Sequence, residues 1–191
     1  SFVAATPWTL RKLGKGPAGL YSVTDARTGE EFPVRVPSEP AWYDKRTTSG
    51  REMADIGVLQ GTYLGIYVGK VCAFWAGQGR DACGFCTTGR NVGDEEVLEK
   101  SVDDVVETAL AAKAESGITF VHLNTGYQGG AAGRIVAPYV EALKRRVGTL
   151  VGVQIAPEAP RFEFDKLIDA GADHFSFCFI SDQNGVDDRH K

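Results

Sequence analysis

Residues Tyr63 to Cys86 read Y-L-G-I-Y-V-G-K-V-C-A-F-W-A-G-Q-G-R-D-A-C-G-F-C. The first six, Tyr63–Val68, form a short apolar run rich in β-formers and bounded by glycine, which predicts a strand. The remainder carries Cys72, Cys83 and Cys86 in the spacing C-x10-C-x2-C, and Cys178 is the only other cysteine in the chain. Three thiolates in a glycine-containing loop can hold a metal cluster and leave one coordination position open, which chemistry requires and a closed structural site lacks.

From this strand outward the pattern alternates strand with helix. Ser101 with Asp104 three residues on reads as a variant capping box. Val102, Val105, Val106, Ala109 and Leu110 then mark one face of a helix running to about Ser116 and ended by Gly117. Ile118–Leu123 is the second expected strand, followed by a glycine-rich loop, Asn124-Thr125-Gly126-Tyr127-Gln128-Gly129-Gly130. The next helix carries Ile135, Val136, Tyr139, Val140 and Leu143 on one stripe, and Pro138 within it predicts a kink or a late start. Leu150–Ile155 is the third strand, Phe162–Ala170 the third helix and His174–Ile180 the fourth strand. The order βαβαβαβ implies a parallel sheet with right-handed crossovers, whose functional loops gather at the C-terminal ends of the strands.

Residues 1–60 read as an accessory segment and 61–191 as the core. The first sixty residues hold five of the eight prolines, and Leu20–Thr24 and Phe32–Val36 flank the turn Ala26-Arg27-Thr28-Gly29 as a β-hairpin. Pro33 and Pro37 would confine the second strand to an edge. Trp8, Trp42 and Tyr43 are available to pack this segment onto a neighbour. At 191 residues, 43% hydrophobic and 24% charged, the composition is that of a globular chain. A net charge of −4 gives no basic footprint for nucleic acid, and no apolar run is long enough to span a membrane. Four cysteines are too sparse for a disulfide scaffold, so a reducing, cytoplasmic compartment is expected. The start Ser1-Phe2-Val3-Ala4-Ala5 lacks both a signal-peptide pattern and an initiator Met, and is expected to begin inside a longer or processed chain.

The cysteine loop and the strand order resemble the radical S-adenosylmethionine (radical SAM) enzymes, with Phe85 in the aromatic place before the third cysteine. The resemblance runs from about Thr62 to the end of the chain. It departs from the usual pattern in the ten residues between Cys72 and Cys83, where three are usual. Ala170-Gly171-Ala172-Asp173-His174-Phe175-Ser176-Phe177-Cys178 is similar to the fourth strand of the biotin-synthase-like branch. The resemblance implies a partial (β/α) barrel with an N-terminal β-hairpin extension, and a 4Fe–4S cluster on Cys72, Cys83 and Cys86. It further implies S-adenosylmethionine on that cluster, contacted by Phe85, Asn124, Thr125, Gly126 and Ser176, with Cys178 as a candidate catalytic residue. The place of the Glu that the family's second loop often carries lacks it, so backbone carbonyls or Asn124 would have to serve, and Ile180 stands where a polar ribose contact is common. The resemblance reaches four of the family's six strands, so the core is expected to be C-terminally incomplete or its barrel unusually open.

The implied activity is reductive cleavage of S-adenosylmethionine to methionine and a 5′-deoxyadenosyl radical, which abstracts hydrogen from a small-molecule or protein substrate. A reductant such as flavodoxin or ferredoxin is the implied partner, and a homo-oligomer stays open. Two other readings of the same residues stand beside it. Cys72, Cys83 and Cys86 with Cys178 or His174 would complete a tetrahedral zinc site in a binding module. Cys83-Gly84-Phe85-Cys86 would serve as a dithiol oxidoreductase motif, although Thr87–Gly93 reads as a poor helix start. His122 and His174 read as packing or hydrogen-bonded residues, Arg80, Arg90 and Glu158 as solvated side chains, and Lys144-Arg145-Arg146 as a helix C-terminus.

Overall fold

The computed structural model describes residues 6–14, 19–76, 86–93, 96–156 and 161–177. Among the described residues the fold is mixed α/β with two sheets and five α-helices, and the chain divides into two compact units, Ser1–Ala41 and Trp42–Lys191. The division falls at Ala41 rather than at residue 60.

The first unit is a three-stranded antiparallel sheet in the order β1 (Trp8–Lys12), β2 (Gly19–Asp25) and β3 (Glu31–Val36). The hairpin of β2 and β3 is the one expected, with Pro33 on an edge strand. β1 is an additional strand. Its Trp8 packs near Phe32 and under the Arg27 guanidinium, which also grips the buried Asp25 carboxylate at the turn.

In the second unit, residues 42–60 join the core because they bring three large apolar side chains to it. Trp42 and Ile56 are fully buried and Met53 nearly so. The Trp42 indole N–H donates to the Ser116 hydroxyl at 3.1 Å, and its ring meets Tyr43 edge-on. The Tyr43 hydroxyl in turn accepts the Leu59 N–H at 2.9 Å.

Five strands make the second sheet in the order β4 (Val58–Gln60), β5 (Tyr63–Tyr67), β6 (Phe120–Gly126), β7 (Leu150–Ile155) and β8 (His174–Ser176). β4, not anticipated from the sequence, pairs antiparallel with β5 across the turn at Gly61, whose φ of 64° suits glycine. β5 through β8 are parallel and consecutive. Consecutive order with right-handed crossovers places the connecting helices on one face of the sheet. Accordingly α3 (Val102–Ser116) packs on α4 (Ala132–Arg146), and α4 on α5 (Arg161–Asp169). Two single turns, α1 (Ala73–Ala76) and α2 (Thr88–Asn91), lie between β5 and α3.

Strand alternation divides the sheet. Leu64, Ile66, Val121, Leu123, Val151 and Val153 point to the helices and are buried with Val105, Val106, Val136, Val140 and Leu143. Each such side chain contributes about 1.5–3 kcal/mol. The opposite face carries Tyr63, Tyr67, Phe120, His122, Asn124, Gln154, His174 and Ser176.

The capping box at Ser101 and Asp104 forms as expected, and Gly117 closes α3 in the left-handed conformation with φ of 64°. Asp104 also accepts the Ser49 hydroxyl at 2.6 Å, which anchors the segment before β4 to α3. Burial would raise its carboxyl pKa, but hydrogen bonds from Ser49, Thr47 and Ser101 outweigh it and hold the group below the ordinary range. Leu110, expected on the apolar face, is 43% exposed; Thr108 and Ala112 occupy the buried face instead. α4 begins at Ala132 and runs through Pro138, so the late start is excluded. Asp173 fastens β8 by accepting the Val151 N–H at 2.7 Å and pairing with Lys144. Among the described residues no helix is long and apolar enough to cross a membrane.

Candidate metal centre

β6 does not stop at Leu123. Its apolar alternation ends there, yet backbone pairing continues to Gly126: Tyr67 and Gln154 flank Asn124, and Ile155 pairs with Gly126. Backbone pairing needs no apolar side chain, so the expected glycine loop is shortened from its front. Between Asn124 and Gly126 the pairing with β7 slips at a bulge, where Gly126 takes φ of 59°.

This bulge faces Cys72. Five residues past the last strand pair of β5 with β6, Cys72 is 9% exposed, and its Sγ accepts the Tyr127 N–H at 3.4 Å. A Cβ at Gly126 would stand 3.0 Å from Cys72 Cβ and 3.4 Å from its Sγ. Glycine is therefore required there twice, by φ and by the close approach. The Ala73 N–H donates to the Tyr127 carbonyl at 2.8 Å, and Phe74 stacks on the Tyr127 ring at 4.4 Å. Cys72 is thus held against the end of β6 by three separate ties.

Cys86 precedes α2 and contacts the Thr88 hydroxyl at 3.1 Å. Trp75 of α1 packs on Gly89 of α2, which brings the two cysteine-bearing turns side by side. α2 stands where the sequence reads as a poor helix start; it is four residues long, and Thr87 makes no side-chain capping bond to it. Cys72 and Cys86 are both free thiols. Burial pushes the Tyr67 phenol well up, and the nearby Glu96 carboxylate adds to the effect, so Tyr67 stays a hydrogen-bond donor. Cys83, Phe85 and Cys178 lie outside the described residues, as do Arg80, Glu158 and Ile180. Among the described residues no group of three or more His, Cys, Asp or Glu is placed to hold a metal ion.

Of the remaining site residues, Asn124 and Ser176 share one row across the open face, with Tyr67 and Gln154 between and beside them in register. Asn124 Oδ1 accepts the Gly126 N–H at 3.0 Å, and its Nδ2 reaches Gln154 Oε1 at 3.4 Å. Ser176 Oγ meets His174 Nε2 at 2.8 Å. Thr125 differs from its neighbours: it is fully buried, its hydroxyl donates to the Gly126 carbonyl, and its own carbonyl takes Tyr67 and Gln128.

Tyr67, Gln128 and Gln154 were not singled out from the sequence. Gln154 carried a signal, as a polar residue at an open-face position in an otherwise apolar strand. One row further back, His122 is flanked in register by Gly65 and Gly152. Its Nε2 is buried without a hydrogen-bond partner among the described residues. Burial, and then the nearby His174, lower its pKa. Of the two expected roles, packing is the one seen, with the His122 ring set against Tyr63 and Phe120.

The chain matches no known protein-family model, and no curated protein sequence matches it.

Proposed function

We propose that this chain is a radical SAM enzyme with its cluster on Cys72, Cys83 and Cys86. The observation that carries the reading is the seat of Cys72: a buried free thiol past the C-terminal end of β5, against the turn that closes β6. The consecutive parallel order of β5 to β8 supports it too, since it leaves one sheet face for the ligand and the other for the helices. That arrangement suits a partial (β/α) barrel.

The donor set fits the group. Thiolates are the usual protein ligands of iron–sulfur clusters, and Cys72 already has an N–H donor on its sulfur, as such ligands commonly do. When bound, the cluster would supply the electron that cleaves S-adenosylmethionine to methionine and a 5′-deoxyadenosyl radical. The chain's own part is to bind, orient and exclude water. Cys72, Cys83 and Cys86 would hold three irons and leave the fourth to the amino and carboxylate groups of S-adenosylmethionine. Asn124, Gln154 and Ser176 offer a polar row on which the rest of that cofactor can lie. The Phe74 and Tyr127 stack joins the two segments beside Cys72 and would help hold that side of the site. A low-potential carrier such as flavodoxin or ferredoxin would deliver the electron.

The test is anaerobic reconstitution with iron and sulfide, followed by an assay for 5′-deoxyadenosine. The expected result is about four irons per chain with a broad visible charge-transfer band. Cys72→Ala should abolish iron retention. One tightly bound zinc with no iron would overturn the reading in favour of a zinc-stabilised module. A redox-active Cys83–Cys86 pair that is indifferent to Cys72→Ala would overturn it in favour of a dithiol oxidoreductase.

A further inference from the structure

The Tyr67 hydroxyl lies where the two halves of the site meet. It is 2.5 Å from the Thr125 carbonyl and 2.9 Å from the Lys70 carbonyl. Lys70 belongs to the turn that delivers Cys72, and Thr125 to the strand end that delivers Gly126 and Tyr127. One phenolic proton cannot serve both carbonyls fully. Gln128 Nε2 supplies the missing donors, at 2.5 Å to Thr125 O and 2.7 Å to Lys70 O, and stands 3.4 Å from the Tyr67 oxygen. The phenol fits only because residue 126 is glycine: a Cβ there would come within 3.2 Å of it.

We propose that Tyr67 is a positioning residue for the Cys72 sulfur, clamping its turn to the end of β6 so that the Tyr127 N–H points at Sγ. Two carbonyls from segments 55 residues apart converge on one hydroxyl, and the N–H···S bond is what that convergence produces. The Phe74 and Tyr127 stack and the Ala73 N–H bond fix the outer side of the same turn. Tyr67 and Gln128 fix its inner side. An N–H donor withdraws electron density from a ligand sulfur, and in a thiolate-bound cluster this favours the reduced state. This redox consequence rests on the cluster reading, whereas the effect on the thiol does not.

The test compares the wild-type chain with Tyr67→Phe, which keeps the ring and removes the hydroxyl. In the reduced, metal-free protein, N-ethylmaleimide labelling of Cys72 is timed by mass spectrometry with Cys86 as the internal reference. Labelling of Cys72 should speed up about tenfold in Tyr67→Phe, as the loss of one buried hydrogen bond allows, while Cys86 is unchanged. An unchanged Cys72 rate, or an equal rise at both cysteines, would overturn the proposal. If Tyr67→Phe does not fold, Gln128→Leu loses the same two carbonyl bonds from the other side, and the same ratio decides. In reconstituted protein Tyr67→Phe should keep its iron and show a more negative midpoint potential; an unaltered potential would overturn the redox consequence. If no variant takes up iron, the cluster reading fails, and the labelling ratio still decides the role of Tyr67.

Discussion

Gly126 and Gly129 offer a matched pair of substitutions. Their φ angles are 59° and 61°, so alanine meets the same left-handed backbone penalty at each. That penalty is about 1–2 kcal/mol, reduced by the stiffer unfolded chain to a net of about 1 kcal/mol. What differs is the surroundings. A Cβ at Gly129 meets nothing within 4 Å, whereas one at Gly126 stands 3.0 Å from Cys72 Cβ and 3.2 Å from the Tyr67 oxygen. Cys72 is buried and Tyr67 is held by two carbonyls, so neither yields freely. Overpacking of that kind costs about 1–3 kcal/mol more. Gly126→Ala should therefore lose about 3 kcal/mol and Gly129→Ala about 1 kcal/mol. Urea unfolding followed by far-ultraviolet circular dichroism measures both. With an m-value of about 2 kcal/mol/M, the midpoints fall by about 1.5 M and about 0.5 M respectively. Equal shifts would refute the packing of Cys72 on the end of β6, and with it the geometry on which the candidate centre stands.

Trp42→Ala should cost about 3–5 kcal/mol, since it empties a fully buried site and orphans the Ser116 hydroxyl; thermal unfolding of the variant checks this, and a loss under 1 kcal/mol would detach residues 42–60 from the core. Gly152→Ala drives a methyl into the Phe120 ring and should cost about 1–3 kcal/mol. Most of that cost should vanish in the Phe120→Ala background, a non-additivity that a double-mutant cycle reads directly. His122 takes a proton less readily in the folded chain than at its ordinary value of 6.5. Below that pH the unfolded state binds more protons, so stability falls as pH drops from 7.5 to 5.5. The slope of melting temperature against pH should flatten in His122→Leu, and an unchanged slope would assign the acid sensitivity elsewhere.

Local chemistry wrote some of these features plainly into the chain. Ser101, Asp104 and Gly117 act within one or two helical turns, so cap, helix and stop are legible without knowing any neighbour. The hairpin of β2 and β3 is equally local. The end of β6 was not legible, because Asn124, Thr125 and Gly126 carry no strand pattern, and Asn124 and Gly126 are placed by backbone partners on the neighbouring strands. α2 was unreadable for a related reason: a single uncapped turn packed through Gly89 on Trp75 owes nothing to its own propensity. Leu110 misled because periodicity locates a stripe on a helix, and only the packing of α3 selects which edge of it is buried.

The sequence by itself determined the alternation of strand and helix, the cysteine spacing and the residue types a thiolate site would use, since these depend on composition and short-range order. Tertiary structure alone decided which of them meet. The apposition of Cys72 with Gly126 and Tyr127 joins segments 54 and 55 residues apart, and is set by the parallel pairing of β5 with β6. The convergence of two carbonyls on the Tyr67 hydroxyl, the burial of Thr125 and the polar row through Gln154 follow from the same strand pairing. Register is a relation between strands, and no single strand contains it.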